Sequence, residues 1–309
     1  MNLSARTVGL VAAVLTVSIW TLFIIIARAS ASHTLLPLDI AFLRIVGASC
    51  VLIPWGVWLQ SGHSPRQGSL GGLSPLPLRI TALAGLFGSL LYAMLAYAGF
   101  FFAPAAHASV LMPGSLPLWT SLLAMLVLQE KLARHRVMGL ACIVLGDICV
   151  GGVSLLKAFD GGEVWKGDVL FMTAAFCWAV YTVLVRKHGL NPVRATIAIT
   201  VFSAVSFVPI YGLAAAMGWI PSHLAQAPGA EIAFQAIYQG VGSVVISGIT
   251  FNLMIRHYGP VRSTMITALV PGLSALGAVW LLDEPLTLNL IAGLALVTGG
   301  IMLGVRQRG

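Results

Sequence analysis

Charge is what this chain lacks. Asp, Glu, Lys and Arg make up 8% of its 309 residues, while 59% are hydrophobic. A soluble domain carries about 25% charged residues. No soluble fold of this length has a core able to hide so much apolar surface, so lipid is the expected solvent. Acids are the scarcest group, with nine Asp and Glu in all. Too few of them fall inside the apolar runs to assemble a metal-dependent active site. The four cysteines (Cys50, Cys142, Cys149 and Cys177) lie within hydrophobic runs and form no CxxC pair. A disulfide framework and a thiolate metal site are therefore excluded, and no metal or cofactor is expected. The chain also has no HExxH, no GxSxG elbow and no Walker sequence. Those absences argue against an intramembrane hydrolase and against transport powered by the chain's own ATPase.

Long polar segments are missing as well. The longest, Ser61–Pro77, is rich in Gly, Pro and Ser and reads as a loop, so no soluble domain fits anywhere. What remains is a series of apolar runs of roughly 17–25 residues, the length that spans a bilayer. Ten are expected, at about 7–28, 37–59, 79–102, 105–128, 135–155, 167–187, 192–217, 231–255, 260–282 and 286–305. The first loosely imitates a signal peptide. Its apolar stretch from Val8 to Ala27 is 20 residues long, beyond the ~7–15 of such a segment, and is expected to be a retained helix.

The net charge of +8 does not form a basic stripe for nucleic acid. With the N-terminus in the cytoplasm, 13 of the 17 Lys and Arg fall on the inner side, Arg66, Arg306 and Arg308 among them. Only Arg28, Lys157 and Lys166 fall outside, and Arg44 lies within a span. The positive-inside rule then places both termini in the cytoplasm.

The runs come in two matching sets, 6–153 and 159–308. Gly9, Trp20 and Arg28 have the same spacing as Gly167, Trp178 and Arg186. Pro37 and Pro54 match Pro192 and Pro209, 155 residues on, and Gly88-Ser89 matches Gly242-Ser243 at 154. Pro117, Glu130, Gly139 and Gly146 match Pro271, Glu284, Gly293 and Gly300, also at 154. Five spans per set turn the second copy over in the membrane. The expected fold is an all-α integral membrane protein of ten transmembrane helices, built as two inverted five-helix repeats. That architecture belongs to many secondary transporters. A channel is the other class open to such a bundle, but no selectivity filter is recognisable.

Residues 117–130, PLWTSLLAMLVLQE, and 271–284, PGLSALGAVWLLDE, carry a family resemblance. Each is followed by a Gly-rich run, Gly139 to Gly146 and Gly293 to Gly300. Together with Trp20, Trp178 and Arg44, they make the whole chain similar to EamA-type transporters of the drug/metabolite transporter superfamily. The resemblance implies a central cavity lined by helices 1–4 and 6–9, with 5 and 10 at the periphery. It implies a secondary active transporter of the bacterial inner membrane, moving a small metabolite by alternating access. Export is the commoner direction in that family, and import or exchange are the alternatives. A small-molecule substrate and the bilayer are the expected partners, with proton coupling and a homodimer left open.

Few residues are polar enough to serve such a site. Arg44 lies about seven residues into the second span, roughly 10 Å along its axis. It is a counter-charge for a substrate carboxylate, or it snorkels to the interface, or it pairs with Asp39. Its counterpart in the second set is Ile199. Asp147, mid-span in the fifth helix, is a proton-carrier candidate or a structural or oligomer-contact carboxylate. Its counterpart is Ile301. His107 opens the fourth span and can titrate during transport, or is an inert interfacial side chain. Trp20, Trp178 and Tyr181 either stack on a substrate or pack helices, the last two sharing a helix face. Asn252 is the amide candidate for substrate contact, with Gln239 and Gln235 in the same helix and Gln235 expected to be solvated. Pro113, Pro117 and Pro271 are expected to kink the fourth and ninth spans at mid-membrane, where gates and substrate contacts tend to lie. The paired glycines read as helix-packing positions, Trp55, Trp58, Trp165 and Trp219 as interface anchors, and Glu130 and Glu284 as residues that hold loops.

Overall fold

The computed structural model describes residues 5–60, 68–267 and 269–305. Arg66, Arg306 and Arg308, counted above on the cytoplasmic side, lie outside the described residues. So do Ser61 and the rest of the polar loop's first half. Nine helices among the described residues are long and apolar enough to cross a membrane. They are α1 (Thr7–Ser30), α2 (Pro37–Leu59), α3 (Leu78–Phe102), α4 (Ala105–Leu128), α5 (Arg134–Asp160), α6 (Val164–Lys187), α7 (Pro192–Ala216), α8 (Gly229–Tyr258) and α9 (Pro260–Leu282). A shorter apolar helix, α10 (Leu288–Gly304), follows. The chain is a multi-pass, all-helical membrane protein. Its ten helices fall on the ten expected runs, and the largest difference is at α5, which continues through a tight turn at Ala158–Asp160.

Local chemistry sets the ends. Helix α7 starts where Asn191 accepts from the backbone N–H of Val193 and Arg194, at 3.0 and 3.2 Å, with Pro192 in the first turn. An Asn cap followed by proline satisfies donors that lipid cannot. Helices α4 and α9 end alike. Gln129 and Asp283, 154 positions apart, both adopt the left-handed conformation (φ 55° and 52°). In each case the next residue, Glu130 or Glu284, bonds back through its N–H to Ala124 or Ala278 at 3.3 Å.

Between the ends, glycine sets the distances. Lipid tails are as apolar as leucine, so helices in a bilayer are held by close packing rather than by hydrophobic burial. At the α2–α8 crossing, a Cβ on Gly47 would stand 2.1 Å from the Ala236 carbonyl oxygen, and one on Gly240 would stand 2.7 Å from the Ala48 nitrogen. At the α5–α10 crossing, a Cβ on Gly139 would stand 2.3 Å from the Gly300 carbonyl oxygen, and one on Gly300 would stand 2.4 Å from that of Gly139. Gly146 and Gly293 face each other in the same way one to two turns along.

Three helices depart from α-helical winding. Wide i→i+5 turns occupy Leu86–Leu91 in α3, Val110–Gly114 in α4 and Ala236–Ile246 in α8. Such turns are rare and concentrate at functional sites. Pro113 sits inside the α4 segment, and Pro117 opens the regular helix Leu116–Leu128 that resumes after it. Helix α9 runs as Pro260–Ile266 and resumes at Leu269, two residues before Pro271. Pro117 and Pro271 thus lie in the opening turns of the second segments of their helices, where a first-turn proline has no intrahelical hydrogen bond to lose.

Gly47→Ala forces a methyl group into a backbone carbonyl of α8. It is expected to cost about 1–3 kcal/mol, read as a lowered thermal-unfolding midpoint in detergent. Gly212→Ala, whose Cβ would meet nothing within 4 Å, is expected to leave the midpoint unchanged.

Candidate functional site

The Gly47–Gly240 crossing places the one arginine that lies deep within a helix. Arg44 is one turn before Gly47 and Ser243 is three residues after Gly240, so the close approach brings the two side chains together. Arg44 Nη1 donates to Ser243 Oγ at 2.8 Å and to the Tyr97 hydroxyl at 3.5 Å. Its guanidinium carbon stands 5.6 Å from the centre of the Phe23 ring. Arg44 is 4% exposed, so it does not snorkel. Asp39 is not its partner either. That carboxylate accepts from the backbone N–H of Leu36 and His223, each at 2.9 Å, and from the Tyr211 hydroxyl. Among the described residues no carboxylate pairs with Arg44. The Tyr97 hydroxyl in turn donates to Gln239 Oε1 at 2.9 Å, and the Gln239 amide nitrogen is buried without a partner.

Next to this charge lies an aromatic cluster. Trp20 and Trp178 meet almost edge to face, with ring centres 5.7 Å apart. Tyr92 and Tyr181 stand 4.8 and 5.3 Å from Trp178, and Phe251 stands 4.8 Å from Trp20. Phe23 joins the Arg44 cluster to this one, at 5.9 Å from Tyr97 and 6.5 Å from Tyr92. Trp20, Phe23, Tyr92 and Trp178 line a central cavity together with Met112, Pro113 and Val270. The cavity measures about 20 Å³, room for on the order of one water. The irregular α4 segment and the resumption of α9 meet at its wall: a Cβ on Gly114 would lie 3.7 Å from Pro271. The Trp178 indole N–H is buried with no acceptor.

The other expected residues lie elsewhere. Asn252 sits below the aromatic cluster and does not line the cavity. Its amide nitrogen donates to the Tyr181 hydroxyl at 2.7 Å and to Thr196 Oγ1 at 3.1 Å, which leaves its carbonyl oxygen buried and unpaired. Gln235 is not solvated as expected. It is buried and donates to Ser30 Oγ at 2.6 Å, because the α2–α8 approach draws the start of α8 inward. Asp147 and His107 lie on the flank formed by α4, α5 and α6. Asp147 is buried, with neither carboxyl oxygen partnered. His107 is not a lone interfacial side chain: its Nδ1 is 2.9 Å from Asp168 Oδ1. Asp168 also accepts from the Ser154 hydroxyl.

Asp168, Tyr92, Tyr97, Phe23 and Ser243 were missed by sequence reasoning. Asp168 had a visible signal, an acid in the opening turn of an apolar run beside the landmark Gly167. Ser243 stood in the repeated Gly-Ser pair, but nothing in one dimension ties it to Arg44.

The two helix-end glutamates differ in their surroundings. At the face where α1 ends, Glu284 accepts from Arg28 Nε at 3.0 Å and from the backbone N–H of Ala105 and Ala106 at 3.1 and 3.2 Å. Arg28 also donates to the Phe100 carbonyl at 2.9 Å. These contacts tie the ends of α1, α3, α4 and α9 together. At the opposite face, among the described residues, the Glu130 and Arg186 side chains have no hydrogen bond or ion pair. A cavity of about 240 Å³ lined by Arg186, Asn191 and Arg256 opens there, beside one of about 310 Å³ between the ends of α3, α4 and α6.

A model of the EamA-like transporter family matches residues 7–151 and again 165–306. Among similar proteins, an uncharacterized transporter of Archaeoglobus fulgidus is 24% identical over 302 residues, covering 95% of this chain and 97% of its own. A second from that organism is 25% identical over 280 residues, covering 88% and 89%. The uncharacterized transporter YyaM of Bacillus subtilis is 24% identical over 229 residues, covering 72% and 70%. A solved crystal structure superposes with a TM-score of 0.63 at 21% identity, covering 97% of this chain and 96% of that one. At that identity the likeness speaks to fold alone. Family and relatives point to a transporter rather than an enzyme.

His107 and Asp168 are expected to act as one unit. His107→Gln and Asp168→Asn should each destabilise by about 1–3 kcal/mol. The double variant should cost clearly less than their sum, as read from denaturation in detergent. Additive losses would mean that the pair does not interact.

Proposed function

The chain belongs to the EamA-like transporter family, and from that premise we propose a secondary active transporter that works by alternating access. Its substrate is a small metabolite bearing a carboxylate and an apolar or aromatic group. The observation that carries this reading is Arg44, buried without a carboxylate partner beside a cavity walled by Trp20, Phe23, Tyr92 and Trp178. A cation at depth in a membrane costs about 2.5–3.5 kcal/mol even on the mildest scales. A substrate carboxylate relieves that cost and is held by the same guanidinium. The rings beside it provide faces for stacking.

The two sequence sets, 6–153 and 159–308, are the inverted halves of the carrier in this reading. Their matching helix ends at Gln129 and Asp283 and the double family match support it. Each half has a glutamate after its fourth helix and an arginine at the end of its first, and the arginine of one half latches to the glutamate of the other. The Arg28–Glu284 latch closes one face. The equivalent Arg186–Glu130 latch closes the other when the halves rock, so only one is made at a time. With both termini in the cytoplasm of a bacterium, the closed latch is on the outer side of the inner membrane and the open grooves face the cytoplasm. A carrier in that state loads from inside, which fits export.

Counterflow in proteoliposomes tests the substrate reading. Saturable exchange is expected with a carboxylate-bearing class, monocarboxylates or amino acids, and not with nucleosides. Arg44→Gln should lower that exchange by about tenfold or more, the scale of one charge-assisted contact. Arg44→Lys should recover part of it, because a point charge replaces a fork. Full exchange in Arg44→Gln would overturn the assignment.

The latch has its own test. Ala105→Cys, placed beside Glu284, should react slowly with an impermeant maleimide added outside. Adding Glu284→Gln should speed labelling by about tenfold, whereas Glu130→Gln should not. Equal labelling in both backgrounds would dissociate Glu284 from closure.

A further inference from the structure

A second cavity lies away from the central one, on the flank formed by α4, α5 and α6. It measures about 540 Å³, within the range of small-molecule sites. Its wall is apolar, with Leu118, Trp119 and Trp165 prominent, and its two acids are Asp147 and Asp168. No lysine or arginine lines it. Ile148, Leu155 and Val169, at its rim, are each more than half exposed, so its mouth faces the hydrocarbon of the bilayer.

The two acids are in different states of commitment. Asp168 already has His107 and the Ser154 hydroxyl. Asp147 has nothing: it is 7% exposed, and both carboxyl oxygens are sealed from solvent without a hydrogen-bond donor. A buried carboxyl group left so is costly unless a donor or a cation reaches it. Beside it the wall is thinned by glycine. A Cβ on Gly151 would meet nothing nearer than Leu111, at 3.8 Å, with Asp168 Oδ2 at 4.0 Å, and one on Gly152 only Ile148, at 3.5 Å. Side chains would fit at both positions. Glycine there leaves space in the cavity rather than easing a helix crossing.

We propose that this groove is a second binding site, entered from the lipid, for a protonated amine carried on an apolar body. A rotation of the Asp147 side chain toward the groove lets the ammonium pair with its carboxylate, and the apolar body lies against Trp119 and Trp165, whose rings also favour a cation. An amphiphile of this kind partitions into the bilayer first and meets the groove at its lipid-facing mouth. A second copy of the chain, docked face to face about a two-fold axis, would bring the same acid-bearing apolar surface and leave Asp147 unpaired. A neutral acyl chain would leave it unpaired as well. The site is independent of the central Arg44 site, which has the opposite charge.

Equilibrium binding of tritiated imipramine, a tricyclic amine, to the full chain in phosphatidylcholine nanodiscs tests this. Saturable binding above that of empty nanodiscs is expected. Asp147→Asn should weaken it by about tenfold or more, and Gly151→Leu, which fills the groove, should do the same. Trp178→Ala, in the central cavity, should leave it unchanged. If Asp147→Asn does not fold, Gly151→Leu alone decides. Absence of saturable binding would overturn the proposal, as would binding that survives both groove variants or is lost only with Trp178→Ala. A change of oligomeric state in Gly151→Leu without amine binding would overturn it in favour of a subunit interface.

Discussion

Lipid offers no hydrogen bonds and no hydrophobic drive between helices, and both absences shape this molecule. Every backbone group must be satisfied within its own helix or by a neighbour, which is why the described residues form ten apolar helices. Helices so made stay together only where their backbones come close. Gly47, Gly240, Gly139 and Gly300 supply that closeness, each where any side chain would run into a carbonyl oxygen or a backbone nitrogen. The position of Arg44 follows from this. Its partner Ser243 is within reach because the glycines one turn away let α2 and α8 touch.

The same rule explains where the molecule can move. Wide turns in α3, α4 and α8 and the interruption of α9 leave backbone groups that regular helix would have satisfied. Such defects are tolerated at membrane depth only where protein or a wet cavity takes them up. Here the α4 and α9 defects meet at the wall of the central cavity. That cavity is nearly closed, so any ligand larger than a water molecule enters it only if these walls part. Helices already interrupted at that depth part at less cost than intact ones. The Glu284 contacts bear on the same helices, since they clamp the start of α4 to the end of α9.

Much of the fold was legible in one dimension because a membrane span has a length and a composition, and both can be read directly. Helix ends were legible where a cap residue marked them, as at Asn191 and Pro192. The site was legible only in its rarest letters. Arg44, Asp147, Trp20 and Trp178 stood out because charge is scarce in apolar runs and because tryptophans recurred at fixed spacing. Their companions did not stand out. Tyr97, Phe23 and Ser243 are ordinary residues of apolar helices, and what makes them matter is a crossing defined by glycines 193 positions apart in the chain. Gln235 was misread for a related reason. Its nearness to a helix end suggested water, but the inward lean of α8 buries it against Ser30.

The doubled pattern also separates scaffold from chemistry. Residues that recur in both sets are prolines, glycines, tryptophans and the terminal Glu and Arg, which shape or fasten helices, together with the serine of the Gly-Ser pair (Ser89 and Ser243). The charged residues set within the helices do not recur. Arg44 stands opposite Ile199, and Asp147 opposite Ile301. Asp168 follows Gly167, whereas Leu10 follows the matching Gly9. The physical consequences diverge accordingly: Asp168 is buried with two partners, while Leu10 is 62% exposed on the outside of the bundle. On the proposed inverted-repeat reading, a two-fold scaffold lends itself to rocking between two equivalent states, whereas a substrate without two-fold symmetry needs a site that breaks it. Arg44 and Asp147, neither of them paired with an opposite charge among the described residues, break it at two places. On the two readings proposed above, a guanidinium and a carboxyl group held some helices apart suit two ligands of opposite charge better than one ligand bridging both.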